Sequence, residues 1–383
     1  MAAPKTIVFI HGGAIGDLVQ TLPAMAAVRA AWPGAAVTLI GRPERAALAV
    51  LAGAADKVVD IETCGLWRVM GKAEAPALPV LDGADLVIDL FTKGKLAAGL
   101  EKSTAGQDRP PATARAAAVP GWHTRLRIVP VDPLPPEEWN RSAAAWILDQ
   151  VREALGLAAS SETPVIQLSL VPFPERSYDF SDAGATGGLS ASVSAALADK
   201  PPVAPPRIHR TFLETALAAA DAARTLPASR GVGERFVAIH PGSGSTAKNW
   251  PADRFAAVAR RIRGEIGRDV VWLAGPAERE RGTLPPEATR DTVLADLSLE
   301  QVAGVLTLAD GYLGNDSGIT QMAAAVRRPD GRATPTVALF GPTDPRVWAP
   351  RGEYVRVIAA ADGRMESIAV EEVGEAVTAL LTR

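Results

Sequence analysis

Short β-branched runs alternate with helical segments twice along this chain, and this alternation restricts the fold more than any other feature. Residues 6–10 and 36–40 are such runs in the first half, and residues 235–240 and 269–274 repeat the pattern in the second. Continuous apolar runs of this length are typical of buried parallel strands. Strands that alternate with helices predict an α/β fold with doubly wound sheets, whose ligands bind beyond the carboxyl ends of the strands.

The 383 residues are too many for one ordinary core and favour two domains. We predict an N-terminal domain over residues 1–205, a linker at 206–235, a C-terminal domain at 236–350 and a helical segment at 351–383. A cleft between two α/β halves is the natural ligand site.

The patterns also predict the individual elements. Strands are expected at residues 6–10, 36–40, 57–61, 85–90, 165–171, 235–240, 269–274, 311–313 and 335–340. Helices are expected at about 18–31, 43–51, 135–155, 211–224, 251–266, 298–308 and 370–381, and a helical stretch begins at 278. Pro23 should either kink the first helix or mark the start of its regular part.

Composition excludes several classes of function. The net charge of −3 argues against a nucleic-acid-binding protein, and the single cysteine, Cys64, excludes a disulfide framework or a thiolate metal cluster. The four histidines show no metal-ligand spacing: His11, His123, His209 and His240. The N-terminus does not resemble a signal peptide and no apolar run approaches the ~20 residues of a membrane span, so we expect a soluble cytoplasmic protein.

Residues 312–325 read as a strand, a tight turn and a helix N-terminus. Asp316 or Ser317 can cap that helix, whose free N–H groups and positive dipole end suit a diphosphate. A capped helix with no ligand is the alternative.

The loop at residues 242–248 is rich in N–H and O–H donors and ends in Lys248, a composition that suits oxygen anions. It is not a P-loop, because the Gly-x4-Gly-Lys-Ser/Thr spacing is absent and Lys248 is followed by Asn249. The alternative is a surface loop with a solvated lysine.

The turn at residues 12–17 ends in Asp17, at the end of the first strand. It lacks the Gly-x-Gly-x-x-Gly spacing, and no acidic residue closes the second strand, so a nicotinamide enzyme is not the first choice. Asp17 can be a helix N-cap or a carboxylate that accepts a proton from a hydroxyl.

Residues 91–127 carry more basic than acidic side chains, among them Lys93, Lys95 and Arg125. They can be ordinary solvated charges, or a basic face for an anionic acceptor or a membrane surface.

Five motifs in register resemble the ADP-heptose–lipopolysaccharide heptosyltransferases, glycosyltransferase family 9. They are Ile-Gly-Asp at 15–17 with Thr-Leu-Pro-Ala at 21–24, His-Pro-Gly at 240–242 with Ala-Lys-Asn-Trp-Pro at 247–251 and Arg-Phe at 254–255, Ala-Gly-Pro-Ala-Glu-Arg-Glu at 274–280, Gly-Asn-Asp-Ser-Gly at 314–318, and Leu-Phe-Gly-Pro-Thr-Asp-Pro at 339–345. The resemblance is strong over residues 5–61 and 236–350. Residues 91–233 show no clear match, and acceptor specificity should lie there.

The resemblance implies a GT-B architecture: two Rossmann-like domains that face a central cleft, with the acceptor bound by the first and the nucleotide sugar by the second. It implies an inverting transfer without metal or cofactor, from a nucleotide-diphosphate sugar, ADP-heptose first, to an anionic glycan or glycolipid such as lipopolysaccharide core. Peripheral contact with the cytoplasmic face of the inner membrane would fit that acceptor.

The same resemblance implies roles for individual residues. Asp17 matches the general base and Lys248 the lysine that contacts the donor phosphates. Glu278 lies where an acidic residue would reach the ribose, with Glu280 nearly as well placed, and Leu297 lies near the adenine pocket. The remaining donor-binding residues expected are Gly16, Ser243, Gly244, Ser245, Thr246, Gly275, Asp316, Ser317, Gly318 and Gln321, and those expected for the acceptor are Lys93, Lys95 and Arg125.

Two departures from the family pattern stand out. Gln321 occupies a position where the family often has a histidine, and glutamine donates a hydrogen bond but carries no charge. Gly-Gly-Ala at 12–14 replaces the more usual Arg/Leu-Ser-Ser.

Two other functions fit the same architecture. One is a nucleotide-sugar epimerase or hydrolase, which product analysis with and without an acceptor would separate from a transferase. The other is a non-catalytic sugar-nucleotide-binding subunit, which Asp17 disfavours and Gln321 mildly favours.

Overall fold

A computed structural model of the chain describes residues 3–66, 78–98, 117–118, 126–158, 218, 222–223 and 225–382. The predicted strand at 165–171, most of the predicted helix at 211–224, most of the linker and Arg125 lie outside the described residues.

The N-terminal domain is built on one six-stranded sheet. Its strands are β1 (Thr6–Ile10), β2 (Ala36–Gly41), β3 (Lys57–Asp60), β4 (Leu86–Asp89), β5 (Ala117–Ala118) and β6 (Arg127–Pro130), and its helices are α1 (Ile15–Ala31), α2 (Pro43–Leu51) and α3 (Ala143–Leu155). The strand order is β3-β2-β1-β4-β6-β5. All pairs are parallel except that of the two-residue edge strand β5 with β6.

The four predicted strands of this domain that lie within the described residues, β1 to β4, are confirmed to within one residue, whereas β5 and β6 were not predicted. Helix α1 begins three residues earlier than predicted. Asp17 accounts for the earlier start, because its carboxylate accepts a hydrogen bond from the backbone N–H of Ala14, the residue before the helix. The helix then continues through Pro23, so that Pro23 does not mark its start.

The predicted helix start at residue 135 is wrong. Helix α3 begins at Ala143, because the hydroxyl of Ser142 accepts the N–H of Ala145 and so caps the helix there. The indole N–H of Trp139 donates to the carbonyl of Ser142 and holds the preceding turn against this cap.

The C-terminal domain has a second six-stranded sheet. Its strands are β7 (Phe236–His240), β8 (Asp269–Ala274), β9 (Thr292–Ala295), β10 (Gly311–Asn315), β11 (Thr336–Phe340) and β12 (Val355–Ala359). Its helices are α4 (Leu226–Ser229), α5 (Ala252–Arg261), α6 (Pro276–Arg281), α7 (Leu299–Leu308), α8 (Gly318–Ala325), α9 (Pro345–Trp348) and α10 (Val370–Leu381).

This second sheet is entirely parallel, in the order β12-β11-β10-β7-β8-β9. Read from β9, the order is the 3-2-1-4-5-6 arrangement of the Rossmann fold. Strands β9 and β12 were not predicted, and β12 lies within the segment 351–383 that was expected to be helical. The helix predicted at 251–266 is α5, extended by a π-helical turn at Ile262–Ile266.

One apolar cluster runs through both domains. Helix α1 contributes Leu22 and Met25, helix α7 contributes Leu306 and helix α8 contributes Met322, all 0% exposed. Helices α1 and α8 pack against each other, as do α2 and α7. The two sheets are therefore joined by a continuous hydrophobic core on the side where α1 and α8 meet.

Candidate active site at the contact between the two domains

The two sheets present their switch points through equivalent loops. In the N-terminal sheet, β1 and β4 are neighbours, and the chain continues from them toward opposite edges of the sheet. Strands β7 and β10 have the same relationship in the C-terminal sheet. Ligands of doubly wound sheets bind beyond such points. The loops after these four strands carry Asp17, Phe91, Lys248 and Asp316.

Lys248 and Asp316 form an ion pair across the C-terminal switch point. The Lys248 Nζ lies 2.7 Å from the Asp316 Oδ2, and the two side chains are 29% and 11% exposed. Thr343, in the loop after β11, donates its hydroxyl to the same carboxylate oxygen at 2.7 Å. Asp316 thus fixes the position of the Lys248 ammonium group. It is not the N-cap of α8.

Ser317 is the N-cap of helix α8, one of the two alternatives predicted. Its hydroxyl accepts the N–H of Thr320 at 3.3 Å. The first N–H groups of a helix have no partner within the helix, so those of Gly318 and Ile319 remain available to an anion. Asp316 therefore pairs with Lys248, and the backbone N–H groups after Ser317 are the part of the turn suited to an anion; anion binding there remains a prediction.

The side chain of Asn315, which is fully buried, holds the two ends of the loop after β7. Its amide donates to the carbonyl of Pro241 at 2.7 Å and accepts the N–H of Trp250 at 3.1 Å. The Ser243 hydroxyl turns inward, and its oxygen lies 2.6 Å from both the Ser245 carbonyl oxygen and the Asn249 side-chain oxygen, to either of which it can donate its one proton.

At the crest of this loop, Gly244, Ser245 and Thr246 are exposed. The loop therefore offers its crest to a ligand, while the hydroxyl of Ser243 serves the loop itself.

Glu278 is buried beneath the same loop. Its carboxylate accepts the N–H of Gly275 at 2.8 Å and lies 3.7 Å from the His240 Nε2. The neighbouring imidazole of His240 and the N–H of Gly275 lower the pKa of Glu278 to about 2, against the opposing effect of burial.

Gly242 allows this burial, since a Cβ there would lie 2.0 Å from a Glu278 oxygen. Glu280 is exposed, and Leu297 is half-buried against the shared apolar cluster. The predicted contacts of Glu278 with a ribose and of Leu297 with an adenine remain predictions.

Asp17 lies in the first turn of α1 and is half-buried. Its Oδ2 accepts the N–H of Ala14 at 2.9 Å, and it forms no salt bridge within the described part of the chain. The hydroxyl of Thr21 donates to its backbone carbonyl one turn further along. Asp17 is thus a carboxylate in a fixed position whose charge is not used by a neighbouring cation, as a general base requires.

His11 lies behind Asp17 and is buried. Desolvation lowers the pKa of His11 to about 4, although the negative charge of Asp17 raises it, and the nearby Arg45 lowers it further. Arg45 donates to the carbonyl of Gly13 at 2.9 Å and so ties α2 to the loop after β1. At neutral pH His11 is uncharged, and it does not neutralise Asp17.

The loop after β4 places an aromatic ring beside the Asp17 loop. Phe91 is 37% exposed, and a Cβ on Gly12 would lie 2.1 Å from its ring, so the ring rests directly on the backbone of Gly12. The buried carboxylate of Asp89 accepts the backbone N–H groups of Phe91 and Thr92 at 3.1 and 2.8 Å and also the Thr92 hydroxyl.

The predicted acceptor residues Lys93 and Lys95 follow in the same loop, and both are exposed. Lys93 has a φ of 52°, in the left-handed region that residues other than glycine seldom adopt. The hydrogen bonds to Asp89 therefore fix the conformation of this turn, and Phe91, Lys93 and Lys95 are exposed on it.

The backbones of the two domains approach each other closely at two glycines, Gly16 and Gly318. A Cβ on Gly318 would lie 2.6 Å from the Ile15 Cβ and 3.0 Å from the Gly16 nitrogen, and a Cβ on Gly16 would lie 3.8 Å from the Gly318 Cα. The first turn of α1 thus meets the first turn of α8. This contact brings the loop of Asp17 to the turn that contains Ser317.

The side chain of Gln321 forms hydrogen bonds at this contact between the domains. Its amide nitrogen donates to the carbonyl of Trp348 at 2.5 Å, and its amide oxygen accepts from Gln20 of helix α1 at 3.3 Å. Its predicted contact with the donor remains a prediction, but in this structure both ends of the amide already have partners.

Sequence reasoning missed several residues of the site: Gln20, Phe91, Asp89 and Thr343. Thr343 lies in a motif that marks the resemblance and could have been found from it. The others carry no local signal. Among the described residues there is no group of three or more His, Cys, Asp or Glu side chains placed to hold a metal ion.

The family model "Glycosyltransferase family 9 (heptosyltransferase)" matches residues 204–375. Lipopolysaccharide heptosyltransferase 3 of Escherichia coli is 28% identical over 142 residues, which are 35% of this chain and 39% of that protein. The match thus spans about two fifths of the length of this curated relative. No helix of the described residues is long and apolar enough to span a membrane.

Two solved structures share the fold over nearly the whole chain. A glycosyltransferase family 9 protein from Veillonella parvula is 18% identical, with a TM-score of 0.65 and coverage of 99% of this chain and 97% of that one. The E. coli ADP-heptose lps heptosyltransferase II is also 18% identical, with a TM-score of 0.62 and 98% coverage of both chains. The predicted GT-B architecture is confirmed, and the predicted resemblance to glycosyltransferase family 9 is confirmed over residues 204–375, which include the whole C-terminal sheet.

Proposed function

We propose that this protein transfers a heptose-like sugar, with inversion and without a metal ion, from a nucleotide-diphosphate donor to a sugar hydroxyl. The donor proposed is ADP-heptose, and the acceptor is lipopolysaccharide core or a related anionic glycan. The observation that carries the proposal is the contact between the first turns of α1 and α8. It sets the first turn of α1, which carries Asp17, against the first turn of α8, which follows Asp316, the partner of Lys248; Asp17 forms no salt bridge among the described residues.

The reaction assigns one role to each domain. Asp17 accepts the proton of the acceptor hydroxyl, whose oxygen attacks the anomeric carbon from the face opposite the diphosphate. The bond from that carbon to the diphosphate oxygen breaks, and its electron pair leaves with the nucleotide. A general base of this kind contributes typically 10²–10⁴-fold to the rate.

The leaving diphosphate gains charge in the transition state, and the C-terminal domain supplies the donors that stabilise it. They are the Lys248 ammonium, the free N–H groups after Ser317 and the exposed crest of the loop at 244–246. Preorganised donors are worth about 3 kcal/mol each. Asp316 and Thr343 hold Lys248 in place before the donor arrives, so the ammonium need not be ordered during binding.

The acceptor side is supported by the turn after β4. Phe91 offers an exposed ring to the apolar face of a sugar, and Lys93 and Lys95 offer positive charge to phosphate or carboxylate groups. A glycolipid acceptor would be met at the cytoplasmic face of the inner membrane.

The test replaces the base. Asp17→Asn keeps the size of the side chain and removes its basicity, so transfer from ADP-heptose to isolated lipid A–core should fall by at least about 100-fold. Donor affinity, measured by calorimetry, should be nearly unchanged. The matched control is Asp253→Asn, which changes an exposed aspartate in the first turn of helix α5.

Near-normal turnover by Asp17→Asn would exclude Asp17 as the base. Release of free sugar or an epimerised nucleotide sugar by the wild type in the absence of acceptor would instead favour a hydrolase or epimerase. A thermal-shift series with ADP-, UDP-, GDP- and dTDP-sugars would identify the donor nucleotide.

A further inference from the structure

A relay of three hydrogen bonds crosses the domain contact one helical turn behind Gly16 and Gly318. The backbone N–H of Ala144 donates to the Gln20 Oε1 at 3.1 Å. The Gln20 Nε2 donates to the Gln321 Oε1 at 3.3 Å, and the Gln321 Nε2 donates to the carbonyl of Trp348 at 2.5 Å. The relay therefore starts in α3 of the N-terminal domain and ends in α9 of the C-terminal domain.

The relay has only one satisfactory polarity. Its first group, the N–H of Ala144, can only donate, and its last group, the carbonyl of Trp348, can only accept. If either amide were turned over, two oxygens or two NH₂ groups would face each other. Gln20 and Gln321 are 6% and 7% exposed, so water cannot readily replace a lost partner, and an amide left unpaired there destabilises the contact.

The relay also lies directly behind the reacting groups. Gln20 follows Asp17 by three residues on α1, and Gln321 follows Gly318 by three residues on α8. Gln20 therefore lies one helical turn beyond Asp17, and Gln321 lies one turn beyond Gly318. Trp348 follows the loop in which Thr343 bonds to Asp316. A shift of α1 along α8 would break the relay and change the distance from Asp17 to the turn of Ser317.

We infer that Gln20 and Gln321 are positioning residues, which set the distance between the base on α1 and the diphosphate-binding turn on α8. This inference rests on the proposed function. Neither glutamine needs to touch the substrates for this role, since its effect is transmitted through helices packed in a shared core.

The test is Gln20→Met, which keeps the length of the side chain and removes both amide groups. We expect kcat for sugar transfer to fall by about 100-fold while the donor Kd changes less than about twofold, because misplacement of about 1 Å has an effect of that size on the chemical step. Gln20→Glu, which keeps the acceptor for Ala144 but loses the donor to Gln321, should lose turnover similarly.

The matched control is Gln150→Met. Gln150 also uses both ends of its amide, accepting from the N–H of Asp132 and donating to the carbonyls of Asp132 and Trp146, all within the N-terminal domain. Its loss should leave kcat within about twofold of the wild type.

A double-mutant cycle tests whether the two glutamines act as a unit. The double variant Gln20→Met/Gln321→Met should have a kcat no lower than that of the poorer single variant. Multiplicative losses would overturn the inference. So would a Gln20→Met protein whose melting temperature falls but whose kcat, per folded molecule, is that of the wild type.

Hydrogen exchange at Ala144 tests the relay without turnover. Its N–H should exchange faster in Gln20→Met than in the wild type and the Gln150→Met control, and unchanged protection would overturn the inference. If the wild type binds ADP-heptose but transfers no sugar, the proposed function fails, while the exchange result still decides whether the relay joins the domains.

Discussion

Replacement of Gly318 by alanine tests the arrangement of the two domains directly. The new Cβ would lie 2.6 Å from the Ile15 Cβ and 3.0 Å from the Gly16 nitrogen, whereas carbon atoms pack best at about 3.5–4.0 Å. The first turns of α1 and α8 must therefore separate by about 1 Å. The backbone of Gly318 is not in the left-handed region, so alanine itself is conformationally acceptable there.

The energetic effect is the difference between two contributions. Overpacking of this kind destabilises by about 1–3 kcal/mol, and alanine gains at most about 1 kcal/mol over glycine in a helix. With the full gain subtracted, we expect the free energy of unfolding to fall by about 0–2 kcal/mol. Because 1 Å of misalignment lowers a rate by about 100-fold, kcat should suffer far more than stability.

The assay compares kcat at saturating donor, donor affinity by calorimetry and the unfolding midpoint. Gly264→Ala, where a Cβ meets nothing within 4 Å, is the control and should resemble the wild type in all three. Gly16→Ala should lose less turnover than Gly318→Ala, since its nearest neighbour would be at 3.8 Å. Wild-type turnover and stability in Gly318→Ala would refute the close contact between the helices.

Three further substitutions test the site. Lys248→Met should weaken ADP-heptose binding by about 10- to 100-fold in calorimetry, because it removes a charged hydrogen-bond donor to the diphosphate; unchanged affinity would remove Lys248 from the donor site. His11 takes up a proton near pH 6.5 when unfolded but only near pH 4 when folded, so its contribution to stability is complete above pH 6.5 and is lost as the pH falls toward 4. In denaturant titrations, the free energy of unfolding should fall between pH 7 and pH 5 by about 2 kcal/mol more in the wild type than in His11→Asn. An equal fall in the two proteins would contradict the low pKa of His11. Gly242→Ala would place a Cβ 2.0 Å from the Glu278 carboxylate and should lower the free energy of unfolding by about 1–3 kcal/mol, and a stability equal to the wild type would show that this packing is not tight.

Much of the fold could be predicted because most strands carry their own signal. Strands β1, β2 and β8 are continuous β-branched and apolar runs, and such runs indicate buried parallel strands wherever they occur. Strands β9 and β12 are different. Both lie at edges of the C-terminal sheet, are short or contain an arginine, and depend on pairing with a neighbour that the local sequence does not reveal.

The candidate site was predictable to a similar degree. Loops that end strands at a switch point can be located from the strands, and Asp17, Lys248 and Ser317 were found in that way. The partners of these groups could not be found, because Lys248 and Asp316 are 68 residues apart and Gln20 and Gln321 are 301 residues apart. Such pairs depend on how the sheets and helices pack, which no local pattern specifies.

The apolar cluster that runs from α1 through α8 has a consequence for exchange of parts between relatives. Leu22 and Met25 on one side and Leu306 and Met322 on the other are buried in one cluster that both halves share. A chimera that joins this N-terminal half to another protein's nucleotide-binding half must therefore match the shape of that shared face as well as the reacting groups. Under the proposed function, the loop after β4 contacts the acceptor, and this loop can change while the contact between the halves is kept.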